Sequence, residues 1–181
     1  MPPSDTTTPA FRIKAVSAGI LFLFASACAH RPDETQLPSE AEICSSLNYV
    51  VSQADSDFKE IRRNVAVDPL VNRWDTKPIF PGTECDVLDW GGGRFTYNCV
   101  WQESDQPTAK DNYESNVKLA TRCLHADWRA SEQPGKTGRT TLFSKSGTDT
   151  KIELRYFQER APSTLWQTSV TIGDRITPDA R

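Results

Sequence analysis

The chain has 181 residues, with 21 basic and 24 acidic side chains, a formal charge of −3 and 37% hydrophobic residues, an ordinary composition for one globular domain. It contains no run of Lys and Arg with interleaved aromatics, which argues against nucleic acid as a partner. Five cysteines are an odd number, which would leave one thiol unpaired in an oxidising compartment.

The first 27 residues read as an export signal. Arg12 and Lys14 supply a positive start, Ala15 to Phe24 an apolar run, and Ala25-Ser26-Ala27 a small-residue exit. The apolar run is about half the length that a helix needs to cross hydrocarbon, so it predicts a removable leader and not a permanent span. Phe24-Ala25-Ser26-Ala27-Cys28 resembles the lipobox of bacterial lipoproteins, in which Leu is followed by Ala or Ser, then Gly or Ala, then the modified Cys. Three of those four places match, and Ala25 stands where Leu is commonest. Ala-Ser-Ala is also acceptable to ordinary signal peptidase, which would release the protein. The resemblance implies lipid attachment at Cys28, a contact with the membrane through N-terminal acyl chains, and a place in the bacterial cell envelope. Ala29, where Asp would mark inner-membrane retention, implies the outer membrane, facing the periplasm. Assigning Cys28 to lipid leaves four cysteines, an even set that can form two disulfides outside the cytosol.

Removing Asp5, Arg12 and Lys14 with the leader leaves 19 basic against 23 acidic residues and a formal charge of −4. Residues 28–38 hold two prolines and one large apolar side chain, Leu37, too little apolar surface to offset chain entropy, and read as a flexible tether. The folded domain is expected over 39–173, followed by a frayed tail over 174–181. Ser39-Glu40-Ala41-Glu42 fits a capping box, and Ile43, Leu47, Val50, Val51, Ala54, Phe58 and Ile61 recur at helical spacing. Pro69, Pro78 and Pro81 then interrupt any pattern from Arg62 to Gly82, which reads as a long connection with Trp74, Ile79 and Phe80 pinning it to the body.

Thr83 to Trp90 and Arg94 to Trp101 alternate as strands around Gly91-Gly92-Gly93, and glycine allows the positive φ that a tight hairpin needs. A turn centred on Gly92 puts Cys85 opposite Cys99, Val87 opposite Tyr97 and Asp89 opposite Phe95, with the cysteines at cross-strand distance. That geometry favours a Cys85–Cys99 disulfide and, by elimination, Cys44–Cys123. The rival pairing, Cys44–Cys85 with Cys99–Cys123, would staple each helix to a strand. A second helix is expected over Ala109 to Leu124, with Pro107 as breaker and Thr108 as cap. After a turn-rich stretch from Ser131 to Gly138, strands are expected over Arg139 to Lys145, Thr150 to Gln158 and Thr164 to Ile172. The predicted fold is therefore α+β, an antiparallel sheet of about five strands with two helices on one face, in the order α-β-β-α-β-β-β. The order also hints at a weak duplication of a helix-plus-strands unit.

No catalytic constellation stands out. His30 falls in the tether and His125 after the second helix, so the only two imidazoles have no evident reason to meet. Cys123-Leu124-His125 lacks a second ligand pair at zinc-site spacing, and Gly135-Lys136-Thr137 lacks the P-loop glycine at position 130, where Ala130 stands. Asp55 with Asp57, and Asp86 with Asp89, could serve acid–base chemistry, but spacing alone selects neither pair. No metal or other cofactor is expected. Five tryptophans are the one compositional excess, since Trp favours surfaces that bind proteins and sugars. Trp90, beside the glycine turn, and Leu88 are the candidate partner contacts. The reading is a noncatalytic lipoprotein that binds an envelope protein or supports an assembly. The alternative is an envelope enzyme, or a small-ligand or glycan binder, using surface carboxylates and tryptophans.

Mass spectrometry of the mature N-terminus is expected to find acylated Cys28, and Cys28→Ser is expected to release or mislocalise the protein; an unmodified Cys28 would mean that the protein has no lipid anchor there.

Overall fold

The computed structural model of the chain describes residues 37–66, 71–102, 104–135, 137–158 and 164–174. The leader, Cys28, the tether as far as residue 36 and the tail beyond residue 174 lie outside the described residues. Helix α1, Glu40–Ser52, opens on the capping box: Glu42 N donates to Ser39 Oγ at 3.3 Å and Ser39 N donates to Glu42 Oε2 at 2.7 Å. It buries Ile43, Leu47 and Val50. The helical spacing runs on to Ile61, yet α1 stops at Ser52. From there to Asp57, short polar side chains bond nearby carbonyls, Ser52 Oγ to Tyr49 O and Ser56 Oγ to Gln53 O, which competes with a regular helix. Two 3₁₀ turns, Ala54–Ser56 and Lys59–Ile61, flank Asp57 and Phe58 in the left-handed region. Phe58 is turned fully inward, 6.4 Å from the Tyr97 ring.

The sheet has eight strands and not the expected five or so, and the chain order is α-β-β-β-β-α-β-β-β-β in place of α-β-β-α-β-β-β. The described residues form one antiparallel sheet in the spatial order β1-β2-β3-β4-β8-β7-β6-β5. Its strands are β1 Val65–Ala66, β2 Asn72–Asp75, β3 Thr83–Asp89, β4 Phe95–Trp101, β5 Trp128–Gly135, β6 Gly138–Lys145, β7 Thr150–Gln158 and β8 Trp166–Asp174. Two of the added strands come from the proline-interrupted connection. Asn72-Arg73-Trp74-Asp75 shows no apolar alternation, but it pairs with β3, and Arg73 Nε lies 3.0 Å from Asp86 Oδ1. The Arg62 guanidinium lies against the rings of Trp74 and Phe95, 4.5 and 4.1 Å from their centroids, and donates to Asp57 O. The third added strand, β5, covers the stretch whose composition predicts turns. It is an edge strand, largely exposed, so neither of its faces demands apolar residues, and an edge tolerates Pro134.

Helix α2, Gln106–Cys123, begins three residues earlier than expected, with Asp105 as its cap: Thr108 N donates to Asp105 Oδ1 at 2.8 Å. Pro107 does not break the helix, because it occupies the first turn, where a missing N–H leaves no bond unmade. The two helices lie on one face of the sheet. Thr168 Oγ1 on β8 donates to Ala109 O at 2.8 Å, and Tyr113 OH meets Thr141 Oγ1 of β6 at 2.7 Å. Between helices and sheet lies the core, in which Leu47, Val87, Tyr97, Ala120, Ile152, Leu154, Val170 and Ile172 are fully buried. Burial pushes the Tyr97 phenol well above its ordinary pKa, and its OH donates to Lys77 O at 2.8 Å.

Gly91, Gly92 and Gly93 all have φ between 65° and 78°, and Trp90 N donates to Arg94 O at 2.9 Å, closing the β3–β4 hairpin. Cys85 faces Cys99 across the ladder, as Val87 faces Tyr97 and Asp89 faces Phe95. Two disulfides are present, Cys85–Cys99 and Cys44–Cys123, separated by 14 and 79 residues. Loop-closure entropy favours the longer bridge, at roughly 4.5 kcal/mol against about 3 kcal/mol for the shorter. Urea unfolding of Cys44→Ser/Cys123→Ser and of Cys85→Ser/Cys99→Ser, without reductant, is therefore expected to show the larger loss in the first; the reverse ranking would mean that native packing, not chain entropy, sets their worth.

Candidate functional site

Alternation along the strands sends one set of side chains toward the helices and the other to the opposite face. On that second face Thr96, Glu153 and Ser169 are themselves buried. Its middle is built from small polar side chains, Thr96 and Asn98 on β4 with Ser169 and Thr171 on β8. Thr171 Oγ1 donates to Asn98 Oδ1 at 3.1 Å, and Arg155 Nε donates to Ser169 Oγ at 3.2 Å. Carboxylates and cations flank this middle, Glu84, Asp86 and Arg73 on one side, and Lys151, Glu153 and Arg155 on the other. Asp86 is half-buried, and burial first, then the charges of Asp75 and Glu84, push its carboxyl up against the opposing pull of Arg73.

At one corner of this face stand the two candidate partner contacts. Leu88 is the cross-strand partner of both Arg73 and Thr96. Trp90 donates its indole Nε1–H to Thr96 Oγ1 at 2.9 Å and keeps 44% of its surface exposed. The glycine hairpin thus carries a large aromatic side chain that is held in one orientation.

A second feature lies at the end of α1. A depression of about 400 Å³ opens between the last turn of α1, the start of β5 and the β6–β7 turn. Trp128 and Lys145 are cross-strand partners and so enter it from the same face. Asn48, Ser52, Asp55, His125, Thr148 and Thr150 complete the part of its lining that can form hydrogen bonds. Lys145 Nζ lies 2.6 Å from Asp127 Oδ2, and this bond, with a smaller contribution from His125, holds the Asp127 carboxyl below its usual range. Asn48 Nδ2 donates to Cys44 O at 2.9 Å and to Cys123 O at 3.0 Å. That one amide, beside the Cys44–Cys123 disulfide, ties the start of α1 to the end of α2 and fixes where the chain leaves α2 for His125 and Trp128.

The residues singled out by sequence are dispersed. The four paired cysteines are structural bridges, while Cys28 and His30 lie outside the described residues. Asp55 reaches the depression, whereas Asp57 sits 3.4 Å from Lys59 Nζ. Asp86 lies on the second face of the sheet, and Asp89 instead accepts from Gly91 N at 2.8 Å within the hairpin. Trp128 and Lys145 carry no sequence signal, because only the β5–β6 register brings them together and nothing local marks a strand at β5. Among the described residues no group of three or more His, Cys, Asp or Glu side chains could hold a metal ion, and no helix is long and apolar enough to cross a membrane. No family model, curated protein or solved structure matches the chain.

The raised carboxyl of Asp86 has a definite sign. Its folded pKa lies above the unfolded value, so its ionised form costs stability at higher pH, and that cost vanishes as pH falls through the folded value toward the unfolded one. Asp86→Asn is expected to unfold at a higher temperature than the natural protein at pH 7, with the gap closing as pH falls; a variant less stable at pH 7 would mean that the Arg73 pair outweighs burial.

Proposed function

We propose that this chain is an exported lipoprotein, anchored through acyl chains on Cys28, whose domain binds an envelope protein through the corner of the second sheet face around Trp90 and Leu88. The two disulfides favour an oxidising compartment, since such bonds rarely persist in cytosol. Helices occupy one face of the sheet, which leaves recognition to the other. The observation that carries the reading is Trp90, nearly half exposed yet fixed by its bond to Thr96. A half-exposed tryptophan already held in one orientation loses little side-chain freedom on docking, and such residues dominate binding energy at protein interfaces. Around it, Leu88 supplies apolar contact, and the flanking charges supply a polar rim that would set orientation.

A photoreactive amino acid placed in cells at Leu88 or Val100 on this face is expected to give a discrete protein adduct, and one placed at Lys118 on the outer surface of α2 is expected to give none. Trp90→Ala should lower the adduct yield about tenfold or more, the loss typical of a hot-spot residue. Equal labelling from Lys118, or none from Leu88 and Val100, would sink the proposal.

A further inference from the structure

Independently of the sheet face, we infer that the depression lined by Trp128, Asp55 and Asn48 is a binding site for a neutral sugar ring. Its volume of about 400 Å³ falls within the ~300–1,000 Å³ range of small-molecule sites.

The charges of the lining do not single out an ion of either sign. Lys145, the group that would attract an anion, already has Asp127 at 2.6 Å, and Asp55 adds repulsion. A cation would find the Asp55 carboxylate but also the like charge of Lys145 in the same lining. A neutral ligand meets neither penalty.

The hydrogen-bonding groups then specify what kind of neutral ligand fits. Both N–H groups of the Asn48 amide are committed to Cys44 O and Cys123 O, so Oδ1 is left as an acceptor. The Asp55 carboxylate makes no hydrogen bond to another described side chain and is acceptor-only when ionised. Thr148 Oγ1 accepts from Thr150 N at 3.1 Å, which leaves its hydroxyl proton to donate. The ligand must therefore bring several donors and at least one acceptor along its edge, and hydroxyl groups provide both. Trp128, partly buried against the core, contributes indole surface to the lining, and the electron-rich face of an indole attracts polarised C–H groups. A pyranose ring has that combination, with hydroxyls around the edge and axial C–H groups on one face.

The full-length chain in detergent micelles, observed by saturation-transfer NMR with methyl glycosides of glucose, galactose and N-acetylglucosamine, provides the test. At least one glycoside should receive saturation, concentrated on the ring protons of a single face. Asp55→Asn, at an exposed turn position where the fold is insensitive, should weaken its dissociation constant about tenfold, as loss of a charge-assisted hydrogen bond does. Trp128→Phe should retain part of the signal and Trp128→Ala none. Choline and inorganic phosphate serve as probes of a cation or anion site. Transfer to none of the three glycosides, an unchanged constant in Asp55→Asn, or competition at this site by choline or phosphate would each overturn the assignment.

Discussion

The ladder between β4 and β8 joins the two halves of the eight-stranded sheet. Thr96 pairs with Gly173 and Val100 with Ser169, so the ladder joins strands that lie far apart in sequence. On one side of it stand β1 to β4, on the other β8 to β5, and each set is a meander preceded by one helix. Two helix-plus-four-strand units thus meet with their fourth strands antiparallel at the centre, an arrangement close to two-fold symmetric. The join is tight. A Cβ added at Gly173 would come within 2.7 Å of Phe95 O, nearer than any side chain can sit, so glycine is required where the two halves first touch. Across this seam Tyr97 and Cys99 pack beside Ile172 and Val170, all four fully buried, and the helices that cover them are locked by the Cys44–Cys123 disulfide and the Asn48 amide.

This architecture gives the two faces of the sheet different compositions. Large apolar side chains gather on the helix side of the central strands, and small hydroxyl and amide groups on the other side. Thr, Ser and Asn over β4 and β8 make a layer that is satisfied within itself, as the Thr171–Asn98 and Arg155–Ser169 bonds show, and within it Thr96 and Ser169 are buried. The distinctive features stand at its corner and beyond it, at the Trp90 hairpin and in the Trp128 depression. Both tryptophans lie at strand ends, Trp90 exposed at the hairpin and Trp128 partly buried against the rim of the core.

The hairpin is legible in the sequence because its signals are local and agree: three glycines in a row, alternating runs on both sides, and cysteines at equal distances from the turn. The same holds for the capping box at Ser39 and for strands β6 and β7. The illegible elements depend on distant neighbours. Asn72 to Asp75 become a strand because β3 offers hydrogen bonds and Asp86 offers a partner for Arg73, neither of which is visible in a four-residue polar run. Trp128 to Gly135 pair with β6 through backbone alone, and at an edge the side chains are released from any pattern. Phe58 fits a helical face by spacing, yet a run rich in Ser and Asp before it turns the chain out of the helix. Trp90 and Leu88 are legible as a pair because they are two residues apart in one alternating run, although β3 itself ends at Asp89. The depression is not, since its walls come from three segments with no shared motif.

The position of β8 has a consequence in time. Strands β1 to β7 are all synthesised before it, yet it occupies the middle of the sheet and not its fringe. Until it is present, β4 and β7 each expose an inner edge with unmatched backbone groups, and Tyr97, Ile152 and Leu154 lack the neighbours that bury them. Long-range pairing of this kind forms late and slowly, because the closure entropy falls due before the contacts that offset it exist. The sheet therefore closes only once β8 is available, and the first seven strands wait on the eighth for their common core.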